Sequence, residues 1–173
     1  MKNVNIQGKI HIDRINKAND IENKYVAIRD CMKNIPEKYF NHEIQKKMIN
    51  QLFLDNEFTF KKELLSDIDK KILSYKNQDK IKNKLNEYNI DSAETIEKLV
   101  SSKLSCHYCK SNVYIFYNKV RDQEQWTLDR IDNDLNHSEE NVVISCLKCN
   151  LQRRCQDKEK FLFTKQLKIV KDE

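Results

Sequence analysis

The sequence predicts an α+β fold: a mainly α-helical N-terminal region over residues 1–103, then a small metal-stapled module over residues 104–173. Three observations predict it. Apolar residues recur at helical spacing from Ile21 to Val100. Past Cys109 the pattern changes to β-branched and aromatic runs. Two Cys-x-x-Cys pairs, Cys106/Cys109 and Cys146/Cys149, frame that second region. Two intervening residues let the backbone turn so that both thiolates of a pair reach one ion at about 2.3 Å. The pairs therefore read as one tetrahedral zinc site, with paired disulfides as the alternative. The 36 residues between the pairs exceed the roughly 15–20 of a simple zinc ribbon, so they must hold structure of their own. A structural zinc contributes on the order of 10–16 kcal/mol to folding, which a module this small requires.

In chain order, Val4, Ile6, Ile10 and Ile12 alternate around Gly8, the pattern of a short strand or hairpin over residues 1–14. From Lys17 the period turns helical, and Ile21, Tyr25, Ile28, Met32 and Ile35 form one apolar stripe. Pro36 closes that helix and suits the first turn of the next. Phe40, Ile44, Met48 and Leu52 mark a second stripe, Phe60, Leu64, Ile68 and Ile72 a third, and Ile81, Leu85 and Tyr88 a shorter fourth. Asp91 with Glu94 has the spacing of a capping box, opening a helix that carries Ile96, Leu99 and Val100 to the first cysteine pair. These stripes are the core face of a helical bundle, or else a helical arm that grips nucleic acid or a partner. The Ile21–Ile35 stripe serves a homodimer or a core equally well.

Beyond Cys109, Val113–Tyr117 has strand composition, and so do Gln125–Ile131 and Asn141–Ser145. The stretch Asp132–Ser138 between the last two is a loop rich in residues that tolerate turn conformations. The second cysteine pair opens a helix bearing Arg153 and Arg154, and Asp157 caps a final helix. Trp126 is expected in the core. His11 and His42 are expected at the surface, and His107 is a fifth candidate ligand at a filled zinc. Cys31 and Cys155 read as small core residues.

The totals restrict function less than the motifs do. The net charge of +5 divides into 19 basic against 16 acidic residues over 1–100 and 13 against 11 over 101–173. An anionic partner must therefore be met by local clusters. No apolar run approaches the ~20 residues of a membrane span, and the start lacks the apolar centre of a secretion signal. An intracellular protein, cytoplasmic or nuclear and viral among the options, is expected. Its cysteines would stay reduced.

Leu128-Asp129-Arg130-Ile131-Asp132-Asn133, then Asn141-Val142, then Cys146-x-x-Cys149-Asn150 resemble the zinc-stapled branch of the HNH nucleases. These are also called His-Me finger or ββα-metal nucleases, a branch that includes phage Holliday-junction resolvases and HNH-like proteins of large DNA viruses. The resemblance covers about residues 104–156. It implies a treble-clef/ββα-metal module and a metal-dependent DNA endonuclease that leaves a 5′ phosphate and a 3′ hydroxyl. Within it, Asp129 and Asn150 take the positions that hold one Mg²⁺ or Mn²⁺, and Asn141 ties the loop between the strands to the backbone. The family's general base, a His, is replaced here by Arg130, which stays protonated and can only steer phosphate. His137 then stands as the replacement base, or as a loop-packing or phosphate-contacting residue, or the site has no base. Lys148, Arg153 and Arg154, with Lys158 and Lys160, would meet DNA, branched or nicked; RNA stays open. The alternative function is a catalytically inactive descendant whose zinc module binds nucleic acid or builds an assembly.

Overall fold

The structure is a computed structural model that describes residues 27–84 and 88–167. Four of the sequence expectations, the hairpin over 1–14, the stripe before Ala27, His11 and Leu85, lie outside the described residues, as does the side chain of Cys31. The fold is mixed α+β, with five α-helices and one two-stranded antiparallel sheet among these residues.

Helix α1 (His42–Phe53) begins at Asn41, whose side chain accepts the N–H groups of Glu43 and Ile44 at 2.9 and 3.3 Å. Helix α2 (Lys61–Ile81) follows, burying Leu64, Ile68 and Ile72 on its inner stripe. Helix α3 (Ser92–Ser101) opens on the expected capping box: Asp91 accepts from Glu94 N–H, and the Glu94 carboxylate accepts from Asp91 N–H. Strand β1 (Trp126–Arg130) pairs antiparallel with β2 (Val142–Cys146), with Trp126 opposite Cys146 and Arg130 opposite Val142. Helix α4 (Leu147–Arg153) leaves β2 without a loop, and α5 (Lys158–Gln166) starts at the Asp157 cap. One apolar core joins the helices to the sheet, running from Met32 through Leu64, Leu99 and Trp126 to Phe161. No helix among the described residues is long and apolar enough to cross a membrane.

Several expectations are corrected. Ile28 is exposed and bridges Lys119, and Asp30–Met32 is a single 3-10 turn, so the first stripe does not continue as one helix to Ile35. Ile81 ends α2 in solvent, and Tyr88 lies outside any helix. His42 is buried, with Nε2 3.0 Å from the carbonyl of Leu104, because the first turn of α1 faces inward. Cys155 is exposed rather than packed.

The largest correction concerns residues 113–117, which are not a strand although Val113, Ile115, Phe116 and Tyr117 are all buried. Val113 and Tyr114 bond to the backbone of Leu104, Glu124 and Trp126, and beyond them a side chain stands in for the neighbouring strand. Fully buried Gln45 accepts the N–H groups of Ile115 and Phe116 at 2.8 and 3.1 Å, and its amide donates to the carbonyls of Tyr39 and Phe116 at 3.0 Å each. Buried backbone groups require partners. Replacing Gln45 with Leu keeps the volume and orphans these groups, at about 1–3 kcal/mol for each one left unmet. The Gln45→Leu variant is therefore expected to lose about 3 kcal/mol or more, measured by denaturant unfolding. A loss below about 0.5 kcal/mol would contradict this account of the segment.

The outer edge of β1 is covered by side chains too. Tyr75 Oη accepts the N–H of Leu128 at 3.1 Å, and Lys71 donates to the carbonyl of Trp126 while its ammonium lies 4.4 Å from that indole's centroid. Trp126 is fully buried, as its sequence context predicts. Both faces and the edge of β1 are thus occupied, and the strand shows no alternation of buried and exposed residues.

Candidate active site and metal centre

The four paired cysteines converge. Cys106 and Cys109 lie in the turn after α3, closed by the Lys110 N–H on the Cys106 carbonyl at 3.1 Å, with Lys110 in the left-handed region at φ 60°. The His107 N–H donates to Ile144 of β2 at 2.8 Å and ties this turn to the sheet. Cys146 ends β2 and Cys149 lies on α4. All four Sγ atoms fall within 4.8 Å of one another, and Cys109 and Cys146 are 3.8 Å apart. A tetrahedral ion with bonds of about 2.3 Å separates its sulfurs by about 3.8 Å. The five described cysteines without exception are free, so disulfides do not account for the pairs.

Without a shared cation, the protons of the cluster are unevenly held. Hydrogen bonding from Cys146 pulls the Cys106 thiol down to about 4, and the same contact pushes Cys146 up. Burial pushes Cys149 up to about 12. Sulfurs this close do not all become thiolates unless a cation joins them. The cluster fits a metal such as zinc.

The second site is a cleft of about 480 Å³ between the end of α2, β1, the loop after β1 and α4. Asp129, Arg130, His137 and Asn150 all line it, together with Arg154 and, from the helical half, Tyr75, Gln78, Lys82 and Lys84. Asn141 sits behind the loop. Its Oδ1 accepts from Asp132 N–H at 2.8 Å and its amide donates to the carbonyls of Asp132 and Asn136 at 2.9 and 2.8 Å.

Asp129 is buried beneath the cleft. Both its oxygens lie 3.1 Å from Arg153 Nη1, and Oδ2 accepts from Tyr108 Oη at 2.5 Å. Burial raises its pKa in spite of these donors. Asn150 donates its amide to Thr127 Oγ1 at 3.1 Å and to the Leu128 carbonyl at 3.3 Å. Arg153, expected to meet DNA, is instead fully buried. Besides Asp129, its guanidinium donates to the carbonyls of Arg130 and Ile131 at 2.6 and 2.8 Å. It is a structural cross-link between α4 and the end of β1. Lys148 and Arg154 remain exposed, and only Arg154 faces the cleft.

His137 is buried against α2. Its Nδ1 is 2.8–2.9 Å from both oxygens of Asp79, and its backbone N–H donates to Asp79 Oδ2 at 2.8 Å. Arg130 Nη1 is 3.4 Å from Asp79 Oδ1 and donates to the Leu135 carbonyl at 3.1 Å. Burial lowers the His137 pKa, and with the charges of Arg130 and Lys82 it outweighs the upward pull of Asp79. The imidazole is therefore neutral at neutral pH and able to accept a proton.

Tyr75, Asp79, Lys82 and Lys84 were not foreseen as site residues. One signal was present in the sequence: Leu64, Ile68, Ile72, Tyr75 and Asp79 continue a single helical stripe. A carboxylate at a core position of such a stripe needs donors from elsewhere. Compared with known proteins, the chain matches no family model, no curated protein and no solved structure.

Proposed function

We propose that the chain is an endonuclease of HNH type that hydrolyses phosphodiester bonds in DNA, with a structural zinc on Cys106, Cys109, Cys146 and Cys149. The observation that carries this reading is the cleft: it gathers a neutral, oriented imidazole with Arg130, Lys82, Lys84 and Arg154 around it. Those cations suit a phosphate backbone, whose contacts fix position rather than sequence. The resemblance supplies the reaction class.

The donor types at Asp129 and Asn150 fit a hard divalent cation such as Mg²⁺ or Mn²⁺, which favours oxygen ligands. Asn150 has its amide nitrogen turned to β1, leaving its oxygen for a ligand. The carboxylate of Asp129 would have to give up part of its contact with Arg153. When bound, such an ion polarises the phosphate and stabilises the leaving oxygen. The protein's own residues do the rest. His137 takes the proton of the attacking water, Arg130 steers the phosphate, and Lys82, Lys84 and Arg154 hold the flanking backbone.

The test is nicking of supercoiled and branched DNA by zinc-loaded protein with Mn²⁺ or Mg²⁺. The parent is expected to cut, and Asn150→Ala to cut at least tenfold more slowly with its fold intact. A folded, zinc-loaded parent that leaves all these substrates whole overturns the reading. One observation favours the second reading, a catalytically inactive module that binds nucleic acid: Arg153 already holds the carboxylate a cation would need. That reading expects DNA binding without cutting in either metal.

A further inference from the structure

Asp79 sits in the last turn of α2 with no exposed surface. This is a costly place for a carboxylate, because burial strips its water and the helix dipole presents its negative end there. The donors that compensate come from the module. The His137 backbone N–H, His137 Nδ1 and Arg130 Nη1 all converge on its two oxygens. One turn earlier on α2, Tyr75 lies against the imidazole with ring centroids 4.6 Å apart, and its hydroxyl is anchored to β1. The ring is thus held at one edge by Asp79 and across one face by Tyr75. A carboxylate accepts and does not donate, so the nitrogen beside it carries the hydrogen. Nε2 keeps its lone pair.

We infer that Asp79 is the positioning residue of this cleft: it fixes His137 in the Nδ1–H tautomer, so that Nε2 is the atom that receives a proton. It also holds Arg130 beside the same imidazole, which keeps a fixed positive charge next to the reacting phosphate. The inference rests on the nuclease reading for what Nε2 then does. In that step the water oxygen forms a new bond to phosphorus while its proton moves to Nε2. The bond to the leaving ester oxygen breaks, its electron pair stays on that oxygen, and solvent supplies the proton that completes the hydroxyl. A purely structural Asp79 would fix the same tautomer without any effect on the rate, so the tautomer and kcat must be read together.

The tautomer is read directly by ¹⁵N NMR of the imidazole in the zinc-loaded parent, with no need of activity. The expected form carries hydrogen on Nδ1; a parent with hydrogen on Nε2 overturns the inference whatever the protein cuts. Asp79→Asn removes the charge and one acceptor oxygen at almost constant volume. It is expected to shift the tautomer toward Nε2–H and to lower kcat about 10²–10⁴-fold, with KM changed less than about threefold, and Asp79→Glu to recover part of the rate. Unchanged kcat and tautomer in folded Asp79→Asn overturn the role of Asp79 and leave the nuclease reading standing. A parent that holds Nδ1–H and cuts nothing overturns the nuclease reading and with it the catalytic use of that tautomer.

Discussion

Removing the metal from the cysteine cluster is expected to unfold the β1–β2 module, and Cys149→Ser is expected to do the same. The cluster joins the turn after α3 to the junction of β2 and α4, adding to the hydrogen bond from His107 to Ile144. A two-stranded sheet alone is marginal in water. Zinc at such a site contributes on the order of 10–16 kcal/mol, against a total stability of about 5–15 kcal/mol for a typical domain. Without it, Cys146 and Cys149 hold protons where a shared cation would sit. The measurement is circular dichroism and thermal melting before and after chelation, with the metal counted by mass spectrometry. One zinc per chain and a collapse of the melting transition are expected. A metal-free chain that melts at the same temperature as the loaded one would remove zinc from the account of the fold.

The second large effect is expected at His137. Replacing it with Gln should lower kcat for phosphodiester cleavage about 10²–10⁴-fold, the range for loss of a general base. The pH profile gives a sharper readout. Burial, with Arg130 and Lys82 nearby, holds this histidine below its ordinary value of 6.5 against the pull of Asp79; Asp129 and Tyr75 complete its surroundings. On the proposed nuclease reading the neutral ring is the active form, so the rate is expected to fall as pH drops through the lowered value. The acid limb of the parent therefore lies below 6.5. Stability follows with the same sign. The unfolded chain takes up the proton first, so this contribution is complete above 6.5 and is lost as pH falls through the folded value. In His137→Gln both the acid limb and this acid sensitivity should vanish. An acid limb that persists unchanged in the variant would assign the titration to another group.

Local chemistry was legible in the sequence wherever a few neighbouring residues decide the outcome. The cysteine spacing, the Asp91/Glu94 box, the Asp157 cap and the two paired strands all have this character. Expectations failed where a distant group decides. Val113–Tyr117 has the composition of a strand, but past the Tyr114–Gln125 bridge its N–H groups are met by the side chain of Gln45 on α1. Arg153 resembles a surface cation until the end of β1 and Ile131 just past it supply two carbonyls and a carboxylate. Helical periodicity identifies which face of α2 is buried, yet it does not say that Asp79 belongs on that face until His137 and Arg130 arrive from more than fifty residues away. The same limit hid Lys82 and Lys84, which are ordinary surface lysines by sequence and line the cleft only through the end of α2.

The division of the cleft between the two halves has a consequence for how the protein is made. The helices leave the ribosome first, carrying Asp79 and Tyr75 but neither the imidazole nor the cysteines. A fragment holding only the later half would keep its thiols and its histidine, with nothing to set the proton on the correct nitrogen. On the proposed nuclease reading, efficient cutting would then await a finished chain that has docked its helices and taken up its ion.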